Sequence, residues 1–148
     1  MTGFYNRNAY DYFIYNEKNI KNYMVVTFDL NNLKMCNDNY GHSSGDAYII
    51  HSAHIIETTF DRFGKCYRIG GDEFCCLIPD AAEFQIERFI QKMQQDIAIL
   101  NNKNISPTEV GIACGYALAT PDDADIEKVR ERADEMMYHN KKVLKGLI

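Results

Sequence analysis

The spacing of hydrophobic positions changes several times along the chain, and each change marks an element. Over residues 6–19, Tyr10, Phe13 and Ile14 share one helical face, and Asn6 stands before them as an N-cap. Residues 23–30, YMVVTFDL, are continuously apolar and β-branched, the composition of a buried strand. A short helix over 32–37 and a polar, glycine-bearing link, NDNYGHSSGD, lead to a helix over 47–60, where Ile49, Ala53, Ile56 and Phe60 recur at helical spacing. Two short strands, 65–69 and 74–79, bracket Gly70-Gly71-Asp72-Glu73, a hairpin by its spacing and residues. Phe84, Ile86, Phe89, Ile90, Met93 and Ile97 mark a helix over 82–100. A strand over 110–119 and a last helix over 125–144 complete the order α-β-α-β-β-α-β-α. Helices mixed with a hairpin predict an α+β fold on a mainly antiparallel sheet, not a doubly wound parallel one.

The 148 residues contain no repeat, low-complexity tract or Pro/Gly-rich linker, so one domain over 1–148 is expected. Composition is ordinary for a globular chain, 46% hydrophobic and 25% charged, and no apolar run is long enough to cross a bilayer. The opening MTGFYNRNAYDYF lacks a basic region followed by an apolar one, so no secretory leader is expected. The five cysteines form no Cys-x-x-Cys pair and have no histidine at zinc spacing. They read as reduced core thiols in a reducing compartment, and the expected location is cytoplasmic. A net charge of −5 disfavours a general polyanion surface, so no nucleic-acid partner is expected. A small phosphorylated ligand fits only if a cation bridges it to the acids.

Two of those acids, Asp72 and Glu73, follow the glycines of the hairpin turn. If Gly70 and Gly71 take unusual dihedrals, both acids project from the tip at little steric cost. A wet hairpin tip also carries acids without any function. Asp29 changes the balance, because it closes a strand that is otherwise apolar. A carboxylate there is costly unless it is solvated, paired or bound to a cation. If the first strand lies beside the hairpin, Asp29, Asp72 and Glu73 converge. Oxygen ligands without His or Cys suit Mg²⁺ rather than zinc. Mg²⁺ held by few carboxylates completes its shell with water and phosphate oxygens, which points to nucleotide chemistry.

Groups suited to phosphate lie nearby. The chain passes from strand to helix through Asn31-Asn32-Leu33-Lys34, where free N–H groups and a lysine favour anions. Lys141 and Lys145 stand four residues apart on one face of the last helix, beside the apolar stripe Ile126, Val129, Ala133, Met136 and Val143. Alone, they also read as solvated lysines favoured by the helix dipole. Asn37 and Asp46 flank the glycine-bearing link, and a carboxylate suits guanine's N1–H and N2 amine. A helix stop and a first-turn acid explain that pair as well, and His42 is ambiguous in the same way.

Four motifs in order resemble the bacterial GGDEF family, the diguanylate cyclases. GGDEF occupies 70–74, and TGFYNR at 2–7 resembles the opening Leu-Thr-Gly-Leu-x-Asn-Arg. FDLNNLKMCNDNYGHSSGD at 28–46 resembles Asp-x-Asp-x-Phe-Lys-x-x-Asn-Asp-x-x-Gly-His-x-x-Gly-Asp. ADEMMYHNKK at 133–142 resembles Ala-Asp-x-Ala-Met-Tyr-x-Ala-Lys. Together they cover essentially the whole chain. The resemblance implies a palm-like fold of the nucleotidyl cyclase and polymerase palm type. It implies Mg²⁺, or Mn²⁺ in its place, on the carboxylates of Asp29 and Asp72 and the carbonyl of Leu30. Glu73 would be the second essential acid, handling the attacking hydroxyl or the metal. Asn37 and Asp46 would read guanine with His42 alongside. The Asn32 and Leu33 amides, Lys34, Lys141 and Lys145 would hold the triphosphate. The implied reaction joins two GTP into cyclic di-GMP and two pyrophosphates between two facing domains, so a homodimer is required. The domain itself would touch no membrane.

Several positions depart from the family pattern. Asn31 stands where a second Asp is common, Asn32-Leu33 where aromatics are common, and Lys145 where Arg is usual, without the bidentate fork. Asp61-Arg62-Phe63-Gly64 replaces an Arg-x-x-Asp product-inhibition site, so feedback through that site is not expected. The chain starts inside the opening motif, which implies an excised domain with a sensory or linker region upstream. The alternative to an active cyclase is a non-catalytic GTP-binding module regulating a neighbouring domain. A cyclase that also accepts ATP is disfavoured by Asp46.

Overall fold

The computed structural model describes residues 3–146, so Thr2 of the opening motif lies outside the described residues. Four strands form one sheet in the order β2-β3-β1-β4: β1 (Met24–Leu30), β2 (Lys65–Arg68), β3 (Glu73–Ile78) and β4 (Ile112–Leu118). Every pairing among these four strands is antiparallel. The expected α+β architecture is therefore present, with helices α1 (Arg7–Asn16), α2 (Leu33–Tyr40), α3 (His42–Phe60), α4 (Ile86–Asn102) and α5 (Ile126–Leu144) around the sheet.

β1 is central and all seven of its residues are buried, as a continuous apolar run predicts for a strand covered on both faces. Its side chains alternate between two layers. Met24, Val26, Phe28 and Leu30 pack with Tyr48, Ile56 and Phe60 of α3 and Ile86, Met93 and Ile97 of α4. Val25 faces the other layer, with Tyr10 of α1 and Ile126, Val129 and Ala133 of α5. Thr27 and Asp29 share that parity. The polar end of β1 therefore points at α5.

Helix ends follow their caps. The Asn6 side chain accepts from the Ala9 N–H at 2.9 Å, and Asp125 accepts from the Lys128 N–H at 3.1 Å. The polar link differs from expectation: it is helical on both sides of Gly41, which sits at φ +90 between α2 and α3. Asn, Asp and Ser disfavour helix weakly, but Leu33, Cys36 and Tyr48 are buried in the core and tertiary packing prevails. The short helix accordingly runs on to Tyr40, and the next begins at His42 rather than at 47. α4 also starts late, at Ile86. Ala81 donates to the Asn22 carbonyl at 2.7 Å, and Phe84 stacks on Phe89 with ring centroids 5.2 Å apart.

Candidate active site

Strand register brings the acids together. Asp29 lies opposite Glu73 on β3, and the Leu30 N–H donates to the Asp72 carbonyl at 3.0 Å. Asp29 is 7% exposed, while Asp72 and Glu73 are half-buried. The Lys141 ammonium, carried over β1 by α5, donates to Asp29 Oδ2 at 2.9 Å. Asp29 Oδ1 is buried with no hydrogen-bond partner. Burial raises the Asp29 pKa, the Asp72 and Glu73 charges add to the rise, and Lys141 opposes it. Burial works against the Lys141 charge, but the hydrogen bond and the field of Asp29 and Asp72 outweigh it and raise its pKa.

A cleft of about 450 Å³ opens beside this pair. Leu30, Asn32, Leu33, Lys34, Asp72, Lys141 and Lys145 all line it, so most of the expected metal and phosphate groups meet in one place. Asn32, at the head of α2, holds φ 65, a left-handed backbone that turns the chain from β1 into the helix. The first amides of α2 have no intrahelical acceptor, and the helix start favours an anion. Asp38 and Asn39 of α2 complete one wall. Nothing in the sequence distinguished them from other polar helix residues.

The guanine-side candidates form a second group, at the α2–α3 corner. A Cβ on Gly45 would lie 1.6 Å from Asn37 Oδ1, so Asn37 packs directly over the backbone that leads into Asp46. Asp46 and His42 are exposed, both in the first turns of α3. None of these three side chains lines the cleft, but α2 joins the two places. Glu73 does not line the cleft either. It borders a narrow recess with Thr27, Arg130 and Asp134, on the α5 side of the sheet.

One expectation changes. Neither Gly70 nor Gly71 has a positive φ, so the signature turn needs no left-handed glycine. The Arg68 guanidinium instead holds its carbonyls, donating to Gly70 O at 3.3 Å and Gly71 O at 2.9 Å. A Cβ on Gly71 would meet nothing within 4 Å, so the bare backbone leaves the approach to Asp72 open. Asn31, the departure from the family's second Asp, is 5% exposed and packs its side chain against Gly111 rather than lining the cleft.

Among the described residues, no three His, Cys, Asp or Glu side chains form a metal-binding group by themselves. The expected set is smaller, two carboxylates and a carbonyl. The unpartnered Asp29 Oδ1 is the donor such a set requires. Mg²⁺ held this way keeps water and phosphate in its shell, so the residues present fit the ion.

An antiparallel sheet with acids at the end of its central strand and lysines across a cleft defines a palm-like α+β domain. The family described as "Diguanylate cyclase, GGDEF domain" matches residues 1–145, and the chain belongs to that family. Diguanylate cyclase DgcN of Escherichia coli strain K12 is 30% identical over 147 residues, 95% of this chain and 36% of the relative. Diguanylate cyclase DgcS of Shewanella oneidensis is 27% identical over 150 residues, 95% of this chain and 48% of that protein. The chain thus spans half or less of these relatives. Among solved structures, the GGDEF domain of DgcB from Caulobacter crescentus in complex with c-di-GMP superposes with a TM-score of 0.81 at 23% identity. That match covers 95% of this chain and 87% of the DgcB chain. Diguanylate cyclase SiaD of Pseudomonas aeruginosa, in complex with its activator SiaC, gives 0.81 at 22% identity, over 96% of this chain and 56% of SiaD. Among the described residues, no helix is long and apolar enough to cross a membrane.

Proposed function

We propose that this domain is a working diguanylate cyclase, joining two GTP molecules into cyclic di-GMP between two facing copies. The observation that carries the reading is the convergence of Leu30 and Asp72 with Lys141, Lys145 and the α2 N-terminus on one cleft, with Asp29 joined to it through Lys141. Asp29, Asp72 and the Leu30 carbonyl would hold Mg²⁺, or Mn²⁺ in its place. When bound, the ion offsets charge on the α-phosphate and makes the attacking hydroxyl more acidic.

The chain's own groups do the rest. The Asn32 and Leu33 amides, Lys34 and Lys145 hold the triphosphate in line, and Lys141 exchanges Asp29 for a phosphate oxygen. Asp46 accepts from guanine N1–H and N2, Asn37 pairs beside it, and His42 closes that side. Each 3′-oxygen attacks the other nucleotide's α-phosphorus. The bond to pyrophosphate breaks, and the hydroxyl proton passes to an acceptor such as the Glu73 carboxylate or solvent. Positioning and charge stabilisation supply most of the rate. One copy holds half of the reaction, so whatever brings two copies together would control it. With Asp61-Arg62-Phe63-Gly64 in place of the inhibition pattern, the product would not feed back at that corner.

GTP and Mg²⁺ incubated with concentrated protein, followed by nucleotide chromatography, test the reading. Cyclic di-GMP and pyrophosphate should appear, at a rate per protein that climbs with concentration. Asp72→Ala should lower turnover at least about a hundredfold with the fold intact; retained activity removes Asp72 from the chemistry. GTP binding without product, even from a forced dimer, would favour the non-catalytic module.

A further inference from the structure

The Asn32 turn is held from outside by one side chain. Tyr48 of α3 is 0% exposed, and its hydroxyl sits between two backbone groups. It donates to the Asn31 carbonyl and accepts from the Gly111 N–H at 2.9 Å. The Asn31 N–H in turn donates to the Gly111 carbonyl at 2.8 Å. Both peptide groups of Asn31 are therefore tied, one to the loop before β4 and one to α3. The Asn31 side chain adds no anchor through its oxygen, which is buried with no partner.

The next residue is Asn32, at φ 65 and ψ 14, with no side-chain cap bond of its own. Asn tolerates a left-handed backbone better than other non-glycine residues, and here its surroundings also hold it there. The groups that do so are Tyr48, Asn31 and Gly111. Immediately beyond lie Leu33 and Lys34, which line the cleft with Asn32. Burial pushes the Tyr48 hydroxyl up to about 12, so it remains a proton donor throughout the working pH range.

We infer that Tyr48 is a positioning residue for the triphosphate. Its hydroxyl fixes the Asn31 carbonyl, which holds the Asn32 turn and aims the first amides of α2 into the cleft. Tyr48 touches no substrate. The inference rests on the proposed cyclase reading, and it specifies which half of the nucleotide Tyr48 governs. The guanine side, at Asn37 and Asp46, has its own support where Asn37 packs on Gly45 between α2 and α3, so the inference places the larger effect on the phosphate half.

The test uses two probes, 3′-deoxy-GTP with Mg²⁺, which binds without an attacking hydroxyl, and guanosine, which has no phosphate. Calorimetry follows the first and NMR titration the second. Tyr48→Phe should weaken 3′-deoxy-GTP about tenfold and leave guanosine within about twofold. Adding Asn32→Gly should restore most of the lost affinity, because glycine adopts the turn unaided. A general structural role would not be rescued by that change. Tyr116→Phe, which removes a β4 hydroxyl that donates to Glu87 of α4, serves as the control and should leave both affinities unchanged. Equal binding of 3′-deoxy-GTP by Tyr48→Phe and wild type overturns the inference, as does equal loss for both probes. If Tyr48→Phe alone does not fold, the double variant decides, and its failure to bind 3′-deoxy-GTP overturns the inference. If the wild type itself does not bind 3′-deoxy-GTP, the cyclase reading and the inference fall together, which is a different result from wild-type binding that Tyr48→Phe retains.

Discussion

Glu127, at the first turn of α5, accepts from the buried Tyr10 hydroxyl at 2.6 Å and from Arg130 Nη2 at 3.0 Å. Burial alone would raise its pKa, but the hydrogen bonds from Arg130 and Tyr10 outweigh it and hold the carboxyl below its ordinary 4.5. A folded pKa below the unfolded one gives stability that is fully present above the unfolded value and is lost as pH falls through the folded one. Glu127→Gln should thus lower the urea midpoint near pH 6, and the gap from wild type should narrow as pH falls below the ordinary 4.5. A gap that persists in acid would assign the effect to packing. The residues that sequence alone made legible were those whose chemistry clashed with their setting. Asp29 stood out as an acid closing an apolar strand, and its unpartnered oxygen bears out the conflict. Tyr48 did not stand out, because a tyrosine in a helix stripe reads as one more apolar position and its hydroxyl partners are 17 and 63 residues away.

Elements were legible where periodicity was strong and blurred where local and tertiary preferences disagreed. β1 and α3 follow their hydrophobic patterns, and α5 does so at Ile126, Val129 and Ala133 but buries Met137 where Met136 was expected and leaves Val143 exposed, while the α2–α3 corner, rich in Asn, Asp and Ser, becomes helical only through the core it covers. α5 approaches β4 closely enough that a Cβ on Gly115 would lie 2.2 Å from the Ala133 carbonyl oxygen and 2.3 Å from the Met137 N. Both are backbone atoms of a long helix and cannot step aside individually. Gly115→Ala should therefore push α5 outward at a cost of about 1–3 kcal/mol in urea unfolding. Because α5 carries Lys141, GTP affinity should fall with stability. Unchanged stability would mean that the helix slides on the sheet more freely than its packing indicates.

At the scale of the molecule, the antiparallel architecture followed from the hairpin and the mixed helices, but the strand order β2-β3-β1-β4 did not. It places the strand that begins at residue 24 between strands that begin at 73 and 112, a pairing no local pattern encodes. The same order makes Asp29 central and Asp72 its neighbour, so the site is a product of topology. The ammonium that Lys141 places on Asp29 is in effect a cation the chain supplies for itself. A free divalent ion must compete with this tethered tenant, whereas an ion arriving with a triphosphate brings the anion that draws the lysine away. Mg²⁺ alone should leave the melting temperature nearly unchanged, and Mg²⁺ with 3′-deoxy-GTP should raise it. A large rise with the ion alone would show that the lysine yields unaided. If the lysine does hold its place, fluctuations in cellular magnesium would not prime the domain, and the nucleotide would act as the key that admits its own metal.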